Sequence, residues 1–513
     1  MAVDWTEGYV TDISYTFGYY PELNPLRVKL AFLDEGVISP EFGKACELGF
    51  GQGLGVNLNA SASITEWYGT DFNPAHAAFA RELAAVSGSG AKLYNDSFAD
   101  FANRTDLPDF DYIGLHGIWS WISQENQSII VDFIRRKLAV GGVVYISYNT
   151  MPGWAAFVPM QDFLLQHSAV MGVSGENRAS RFDSALAFTE RLMALNSLYF
   201  KANPSVTEQM QRLKEKNRNY LVHEYCNHNW HPISFAMATE SLAPAKLEYA
   251  CSANYLDHID TVNMTQEQQA FLREIPDPTF RQSVRDVIVN QHFRKDYWVK
   301  GVRRLSPFER AEALRQQQVI LISHRSDVSL KVVCALGEAT FSDAVYNPVL
   351  NALADHKPKS LGEIERVVKE KGITLEQVTR SVIALSGAGH IASVHIDDTV
   401  IDKAKKHTDK LNGYLINKAR GSGDVNYLAS PVTGGGVSVG RFQQLFLLAL
   451  SQGKKTAADQ AWLVWQILAG QGQKIVKDSR TLESVEENLA ELTELASVFA
   501  AKQLPILKAL LVV

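Results

Sequence analysis

The chain has 513 residues, a net charge of −6 and 21% charged side chains. This length predicts three or four domains. The mild acidic excess argues against a nucleic-acid binder that relies on overall charge. The longest apolar runs, such as 445–450 and 504–513, are too short to span a bilayer, and the first residues lack a signal pattern. Four widely spaced cysteines are typical of reduced thiols, so we expect a cytoplasmic protein without membrane insertion.

An aromatic-rich segment, residues 5–43, precedes the first predicted strand and contains Tyr15. Two interpretations remain open. The segment packs on the core, or it forms a lid that closes over a ligand and excludes water. Aromatic faces attract cations, so a lid of this kind would favour a positively charged ligand.

The segment Lys44–Asn57 predicts a buried strand, a glycine loop and the start of a helix. Its acidic and glycine positions alternate: Glu47, Gly49, Gly51 and Gly53. Glycines let the backbone approach a ligand where a Cβ would collide, and the first helical turn offers free N–H groups. Leu54 stands where a nicotinamide-binding motif has its third glycine, and no Gly-Lys-Ser/Thr follows. We therefore expect a small zwitterion with a nucleoside rather than a diphosphate.

Strands and helices alternate from residue 44 to residue 148, which predicts a parallel sheet with right-handed crossovers. The predicted strands after the first are 65–70, 91–94, 110–115 and 143–148. Ligands in such sheets bind at the carboxyl ends of the strands, near the switch in strand order. Those ends carry the glycine loop, Asp71, Asp96, His116 and Asn149.

Each polar group at these ends has a predicted role and an alternative. Asp71 is expected to bind both ribose hydroxyls, or to act as the N-cap of the next helix. Asn95, Asp96 and Ser97 are expected to bind the adenine amino group, or to form a capped turn. Glu47 is expected to orient the loop or to approach a cationic amino group.

Three motifs carry a resemblance to a known family: Glu47-x-Gly49-x-Gly51-x-Gly53, Tyr68-Gly-Thr-Asp71-Phe72-Asn-Pro74 and Asn95-Asp96-Ser97. They resemble the class I S-adenosylmethionine-dependent methyltransferases. The stretches 110–122, 147–154, 221–227 and 281–301 resemble one branch of that class. This branch carries a methyltransferase regulatory domain and includes the rickettsial outer-membrane-protein lysine methyltransferases.

The resemblance implies a Rossmann-like doubly wound α/β sheet, with S-adenosylmethionine as cofactor and S-adenosylhomocysteine as product. It implies lysine amines of a protein substrate as methyl acceptors. The implied cofactor-binding residues are Glu47, Gly49, Gly51, Gly53, Asp71, Phe72, Asn95, Asp96, Ser97 and His116. Methylation of a glycan or small metabolite, and a non-catalytic cofactor-binding scaffold, remain the alternative functions.

Methyl transfer requires a neutral nucleophile placed against the methyl group in a dry site. The predicted catalytic residues are His116, Trp119, Asn149 and Tyr15. His116 is either a general base or a neutral histidine hydrogen-bonded at a strand end. Asn149 is expected to accept a hydrogen bond from the incoming amine, and Trp119 to lie half in the core. Further expected wall residues are Trp121, Tyr148 and Trp154.

The remaining chain is assigned by pattern to three more regions. The predicted domains are a cofactor-binding core at 1–154, a helical and regulatory middle region with the last core strands at 155–330, a winged-helix-like module at 331–400 and a helical domain at 401–513. We expect 317–324 to be the last strand of the main sheet. The helical insert either covers the active-site mouth or forms a homodimer interface.

Two C-terminal features bear on partners. The third helix of the winged-helix-like module carries Arg380 as its one basic group, so we expect a protein contact and no nucleic acid. The segment 401–440 is predicted to be linker and irregular structure because of its lysine run and glycines.

The histidine-rich run 223–231 invites a metal interpretation, but Asn227 occupies the second histidine position of a zincin pattern. We expect no metal.

Overall fold

A computed structural model describes residues 16–172, 177–213, 221, 224–225, 227 and 229–513. Its centre is a seven-stranded sheet with the strand order β3-β2-β1-β4-β5-β7-β6. The strands are β1 Lys44–Leu48, β2 Glu66–Thr70, β3 Lys92–Tyr94, β4 Phe110–Leu115, β5 Leu138–Asn149, β6 Leu247–Ser252 and β7 Phe293–Lys300. Strands β1 to β5 pair in parallel, and β7 runs antiparallel to both β5 and β6. The predicted Rossmann-like doubly wound sheet is confirmed.

Helices cover both faces of this sheet, and two apolar clusters lie between helices and strands. The covering helices are Pro25–Asp34, Leu54–Ser61, Pro74–Ser87, Phe98–Ala102, Gln124–Lys137 and Phe235–Leu242. Local sequence fixes their ends. Helix Pro74–Ser87 begins where the Asn73 side chain accepts a hydrogen bond from the Ala75 N–H, and it ends at Gly88 in a left-handed conformation.

The last core strand differs from the prediction. The apolar run near residue 320 forms strand β8, Gln318–Leu321, which pairs with two short strands, Lys359–Ser360 and Ile391–Ser393, in a separate sheet. The strand that completes the main sheet is instead β7, whose sequence is Phe-Arg-Lys-Asp-Tyr-Trp-Val-Lys. Its charged side chains are paired, because Arg294 bridges Asp286 and Asp296 while Lys295 bridges Glu22. The apolar composition of the run near residue 320 predicted a strand but did not indicate which sheet that strand joins.

A helical insert between β5 and β6 forms its own apolar cluster. Its described helices are Met151–Trp154, Val158–Val170, Arg178–Ala194, Leu198–Ala202 and Pro204–Leu213. In the chain, three helices precede β7, namely Asp260–Asn263, Gln266–Arg273 and Pro278–Ile288, and helix Pro307–Gln316 follows it. Helix Gln266–Arg273 starts with a capping box formed by Thr265 and Gln268.

The next module contains three helices and a three-stranded sheet in the order β11-β8-β12. Its elements are β8, the hairpin β9 Lys331–Cys334 and β10 Gly337–Thr340, helix Asp343–Ala352, β11 Lys359–Ser360, helices Leu361–Val368 and Leu375–Gly387, and β12 Ile391–Ser393. The Ser360 and Thr374 side chains form capping boxes that start the second and third helices. Because β8 belongs here, the module begins earlier in the chain than the predicted residue 331.

The segment 401–440 is ordered, so its prediction as linker was wrong. Helix Asp398–Lys418 spans 21 residues and buries Ala404, Thr408, Leu411 and Leu415 on one face. These positions recur at helical spacing, and the lysines lie between them. A buried hairpin follows, β13 Tyr427–Ser430 and β14 Gly435–Ser438. The chain closes with helices Arg441–Ser451, Ala457–Ala469, Val485–Val498 and Leu504–Ala509, a π-helical turn Phe499–Gln503 and the small hairpin β15 Val476–Lys477 with β16 Arg480–Thr481.

The C-terminal domain packs directly on the cofactor-side helices. The hairpin β13–β14 lies on helix Leu54–Ser61, and a Cβ at Gly435 would meet the Tyr19 hydroxyl at 2.2 Å. Asn24 donates a hydrogen bond to the Thr433 carbonyl across the same contact. The chain segment before helix Pro25–Asp34 is therefore held between the two domains. Within the described residues, no helix is long and apolar enough to cross a membrane.

Candidate active site

The glycine loop joins the end of β1 to helix Leu54–Ser61 through backbone conformations that require glycine. Gly49 and Gly53 have φ of 72° and 71°. A Cβ at Gly53 would lie 2.3 Å from the Ala80 Cβ, so a larger residue would force the loop away from the next helix. The loop is anchored to β2, since the Gly49 N–H donates to the Thr70 carbonyl at 2.8 Å.

Asp71 follows β2 and holds the glycine loop from the side. Its Oδ2 accepts from the Gly51 N–H at 2.8 Å, and its Oδ1 accepts from the Asn73 N–H at 3.0 Å. His76 Nδ1 lies 3.2 Å from the same Oδ1. Asn73, and not Asp71, is the N-cap of helix Pro74–Ser87. The carboxylate therefore faces the loop and the cavity, as the ribose interpretation requires.

Glu47 is a buried carboxylate that has no counter-ion among the residues the structure describes. The residue is 5% exposed, and its Oε2 has no hydrogen-bond partner. Burial, together with a smaller effect of the nearby Asp71 carboxylate, raises the pKa of the Glu47 carboxyl to about 8. A cationic ligand group in this position would lower that pKa again and bind the ionised carboxylate.

The three residues after β3 divide between two tasks. Asp96 and Ser97 line the cavity, and Phe72 faces it from the β2 side. Asn95 does not line the cavity, because its side-chain amide donates to the Asp71 and Phe72 carbonyls and supports the loop from behind. Ser97 caps helix Phe98–Ala102, and the Asp96 carboxylate pairs with Arg104 at 3.1 Å.

His116, at the end of β4, closes the opposite end of the cavity. Its Nδ1 lies 2.8 Å from the Tyr145 hydroxyl, and its ring stacks on Tyr20 with centroids 3.5 Å apart. Burial lowers the pKa of His116 to about 3, so the imidazole is neutral at physiological pH. A histidine with so low a pKa is a poor acceptor for a proton from an ammonium group, which favours the neutral strand-end interpretation.

The other predicted catalytic residues do not share the cavity wall. Trp119 is 1% exposed and packs in the core under the sheet. Asn149 is also buried, and its Nδ2 has no hydrogen-bond partner. Neither residue lines the cavity that contains the glycine loop. Tyr15 lies outside the described residues, so the structure gives no position for it.

The remaining wall residues separate in the same way. Trp121 lines the cavity, whereas the buried Tyr148 donates its hydroxyl to Asp296 Oδ2 at 2.8 Å. Trp154 contacts Trp230 in the helical insert, with ring centroids 5.3 Å apart. All three residues are aromatic, and their residue type alone did not predict which of them line the cavity and which pack elsewhere.

Sequence reasoning missed part of the wall. Thr16, Gly18, Tyr20 and Leu23 line the cavity from the segment before the first helix. Tyr19, between two of them, is buried and its hydroxyl donates to Asn59. Alternation along 16–20 was the available signal, since every second residue faces the cavity. On the opposite side, the wall comes from Ile118, Ile122, Ser123, Asn126 and Asn229.

The metal question concerns residues that are partly undescribed. His223, Cys226 and His228 lie outside the described residues, so the histidine-rich run has no structural account here. Within the described chain, Asp34, Glu35 and His258 bring ligand-type atoms within 4.8 Å of one another, and none of the three lines the cavity that contains the glycine loop.

Comparisons with known proteins agree with this geometry. Residues 217–300 match the family described as "Predicted methyltransferase regulatory domain". The protein sll1526 of Synechocystis sp. is 41% identical over 508 residues, which cover 98% of each chain. The structure of PKMT2 from Rickettsia typhi in complex with AdoHcy superposes with a TM-score of 0.71 at 16% identity, covering 97% of this chain and 100% of that one. A second structure of PKMT2 has a TM-score of 0.66.

The chain belongs to the family of the Synechocystis protein sll1526, with which it aligns from end to end. Its fold is that of PKMT2 from Rickettsia typhi, and its residues 217–300 match a methyltransferase regulatory domain, as expected for a class I S-adenosylmethionine-dependent methyltransferase. The recognition made from the sequence motifs is confirmed.

Proposed function

We propose that this protein binds S-adenosylmethionine against the glycine loop and transfers its methyl group to lysine amines of a protein substrate. The supporting observation is the single cavity that joins the glycine loop, Asp71 and Asp96 at one end to the Tyr20–His116 stack at the other. Three carboxylates line it, and no lysine or arginine is among its described lining residues. Such a wall suits a ligand that carries a sulfonium and an ammonium group.

Each end of the cavity has a proposed task. Asp71 binds the ribose hydroxyls while it holds the loop, and Asp96 with Ser97 and Phe72 takes the adenine. Glu47 meets the cationic amino group, because its buried and unpartnered oxygen gains a counter-ion there. The sulfonium then faces the aromatic end, where the Tyr20 ring offers a cation–π contact.

The reaction itself is an in-line displacement. The lone pair of a neutral amine forms a bond to the methyl carbon, the carbon–sulfur bond breaks, and S-adenosylhomocysteine leaves. The methylated ammonium then loses a proton to solvent. The neutral His116 positions the aromatic wall and takes no proton in this scheme, because burial holds its pKa near 3. Most of the rate enhancement therefore comes from positioning and from exclusion of water.

Two further parts of the proposal have separate support. Lysine as acceptor follows from the sequence resemblance to the rickettsial outer-membrane-protein lysine methyltransferases. A cytoplasmic location fits the free cysteines Cys46, Cys251 and Cys334 in the described chain. The homodimer, the domain boundaries and the catalytic roles of Trp119, Asn149 and Tyr15 stay predictions.

Transfer of a labelled methyl group into cell lysate tests the proposal. The wild-type protein is incubated with methyl-labelled S-adenosylmethionine, and the products are divided between protease, glycosidase and acid hydrolysis. We expect label in methylated lysine. Label released only as sugar or small metabolite would replace the acceptor, and absence of transfer by a protein that still binds the cofactor would indicate a scaffold. The Asp71→Ala variant controls for other methyltransferases in the lysate.

A further inference from the structure

A second cavity lies on the other side of β7, about 460 Å³ in volume. Pockets for small molecules usually occupy roughly 300–1,000 Å³, so its size is sufficient for a ligand. Apart from Glu35, its lining residues fall between 249 and 294, within the segment matched by the regulatory domain. The cavity shares no lining residue with the proposed active site.

Three arginines without acidic partners line this cavity: Arg273, Arg281 and Arg285. The Arg281 guanidinium donates to the Ile275 carbonyl at 2.6 Å, and that of Arg285 donates to the Asp257 carbonyl at 3.0 Å. These bonds orient the side chains and leave further N–H groups of each guanidinium unused. In the part of the chain that the structure describes, none of the three forms an ion pair with a carboxylate. Arg281 and Arg285 also lie four positions apart on helix Pro278–Ile288, and therefore on one face.

The other cations around the cavity are already neutralised. Arg294 bridges Asp286 at 2.6 Å and Asp296 at 2.8 Å. His258 faces Asp34 at 3.1 Å, and that contact keeps the pKa of the buried imidazole raised, to about 10. Because the Nε2–H of His258 also donates to the Ser252 carbonyl, the ring is an ion-paired imidazolium rather than a metal ligand.

The three acidic residues that line the cavity form no ion pair with the three guanidiniums within the described chain. Both carboxylate oxygens of Asp257 accept hydrogen bonds, from the Ser252 hydroxyl at 2.8 Å and the Asn254 amide at 2.9 Å. Asp260 is exposed to water at the first turn of its helix, and Glu35 is exposed beside His258. The cavity therefore keeps the oriented guanidiniums of Arg281 and Arg285, which form no ion pair within the described chain, while Arg273 is exposed to water.

We propose that this cavity binds a small molecule through an oxyanion, either a phosphate or a carboxylate group. Guanidinium groups present paired N–H donors that match the geometry of both anions, and their hydrogen bonds to an anion are charge-assisted. Two arginines on one helix face and a third on the preceding helix would donate to the group. The ligand supplies a counter-charge to guanidiniums that form no ion pair within the described chain.

Strand β7 lies between this anion site and the proposed cofactor cavity. Arg294 and Asp296 point to the side of the anion site, and Lys295 points to the other side. There, Lys295 pairs with Glu22 at 2.7 Å, one residue before Leu23 of the cofactor cavity. Strand β7 thus has an ion pair on the side of the anion site and another, with Glu22, on its opposite side.

Calorimetric titration with inorganic phosphate and, separately, with citrate tests the site on the full chain. Potassium chloride at equal ionic strength is the reference, because phosphate also stabilises proteins without binding. The test variant is Arg281→Gln/Arg285→Gln. The matched control is Arg135→Gln/Arg136→Gln, which removes the same charge from an exposed helix where both arginines pair with Asp132.

We expect saturable binding of at least one of the two anions by the wild type and by the control. Binding should weaken about tenfold or more per guanidinium removed, as expected for a charge-assisted hydrogen bond. Phosphate binding alone or citrate binding alone identifies the preferred oxyanion. Absence of saturable binding of either, or equal affinity in the cavity variant, would overturn the proposal.

A second measurement on unmodified protein guards against a variant that does not fold. Phenylglyoxal modifies accessible guanidinium groups, and peptide mass spectrometry reports the rate at each arginine. The bound anion should slow modification of Arg273, Arg281 and Arg285 severalfold and leave Arg135 unchanged. Equal rates at all four positions with and without the anion would contradict the site. Neither measurement depends on methyl transfer, so failure here and failure of the proposed function are distinguishable.

Discussion

The two cavities of this protein are opposite in charge. The proposed cofactor cavity is lined by Glu47, Asp71 and Asp96 together with aromatic rings, whereas the second cavity contains unpaired arginines. Both cavities are built on the same sheet, and part of the charge that lines each of them forms no ion pair within the described chain. The comparison teaches that unpaired charges in the wall of a cavity indicate the class of ligand more directly than the shape of the cavity does. A cationic sulfonium fits the first cavity and an oxyanion the second.

The largest expected effect comes from filling the glycine loop of the acidic cavity. In Gly53→Ala, the new Cβ meets Ala80 at 2.3 Å in a backbone conformation with φ of 71°. We expect a loss of about 3 kcal/mol in the free energy of unfolding, because steric overlap and strain add. Denaturant titration measures it.

Gly49→Ala is the matched control for that substitution. Its Cβ would contact the end of the Ile118 side chain, which can move, so the expected loss is smaller, about 1–2 kcal/mol. Equal losses in the two variants would contradict the steric account of the loop. Anion binding at the second cavity should be unchanged in both variants that fold.

Asp71→Ala should separate the two cavities next. Cofactor affinity is expected to weaken by about 1–3 kcal/mol, because a hydrogen-bonded buried partner of the ribose is lost along with support of Gly51. Asp71→Asn, which keeps one acceptor oxygen, should lose less. Calorimetry with S-adenosylmethionine measures both, and unchanged affinity in the alanine variant would remove Asp71 from the ribose.

Glu47→Gln is expected to stabilise the unliganded protein and weaken cofactor binding. Burial raises the pKa of the folded-state carboxyl from 4.5 to about 8. Between these pH values the unfolded chain has lost a proton that the folded chain keeps, so stability falls as the pH rises through this window. Glutamine removes that loss, and we expect a gain of about 1–3 kcal/mol near neutral pH.

The same carboxyl gives the sign of the pH effect on binding. A cationic ligand favours ionised Glu47, so binding should release a proton and wild-type affinity should rise as the pH approaches about 8. The Glu47→Gln variant should show a flatter pH dependence and lower affinity above neutral pH. A variant that binds as tightly as the wild type at every pH would show that no cation sits against Glu47.

The smallest expected effect concerns His116. Because its pKa lies near 3, His116→Phe should keep the ring stack on Tyr20, lower the rate by about tenfold or less and leave the pH–rate profile unchanged in shape. Tyr145→Phe, which removes the hydroxyl 2.8 Å from Nδ1, is the control with the imidazole retained. Loss of an ascending limb near neutral pH in His116→Phe alone would identify the residue as a general base.

The sequence predicted the sheet best where strands are apolar and flanked by glycine or a charged residue. Strand β4 begins and ends at the predicted residues, and β1 begins at Lys44, where the predicted strand segment starts. Strand β7 was not predicted, because its charged side chains are typical of a solvent-exposed segment. Their burial depends on ion pairs with other elements, through Glu22 and Asp286. The long helix that begins at Asp398 was not predicted, because its many lysines drew attention away from the apolar positions, such as Ala404 and Leu411, that recur at helical spacing.

For the candidate site, the sequence predicted which strand ends meet but not which side chains face the cavity. Asp71 and His116 line it, whereas Asn95 supports the loop from behind and Trp119 packs in the core. The orientation of a side chain at a strand end depends on the turn that follows, which composition does not specify. The second cavity was not predicted, because the sequence does not show that Arg281 and Arg285 form no ion pair with the acidic residues around them.

A crystal structure with S-adenosylhomocysteine bound tests the central claim most directly. The account predicts the ribose hydroxyls within hydrogen-bond distance of Asp71, the adenine beside Asp96 and Ser97, and the amino group at Glu47. The sulfur should face the Tyr20–His116 stack. A ligand bound elsewhere, or a cavity that stays empty at saturating ligand while the glycine loop is ordered, would contradict it.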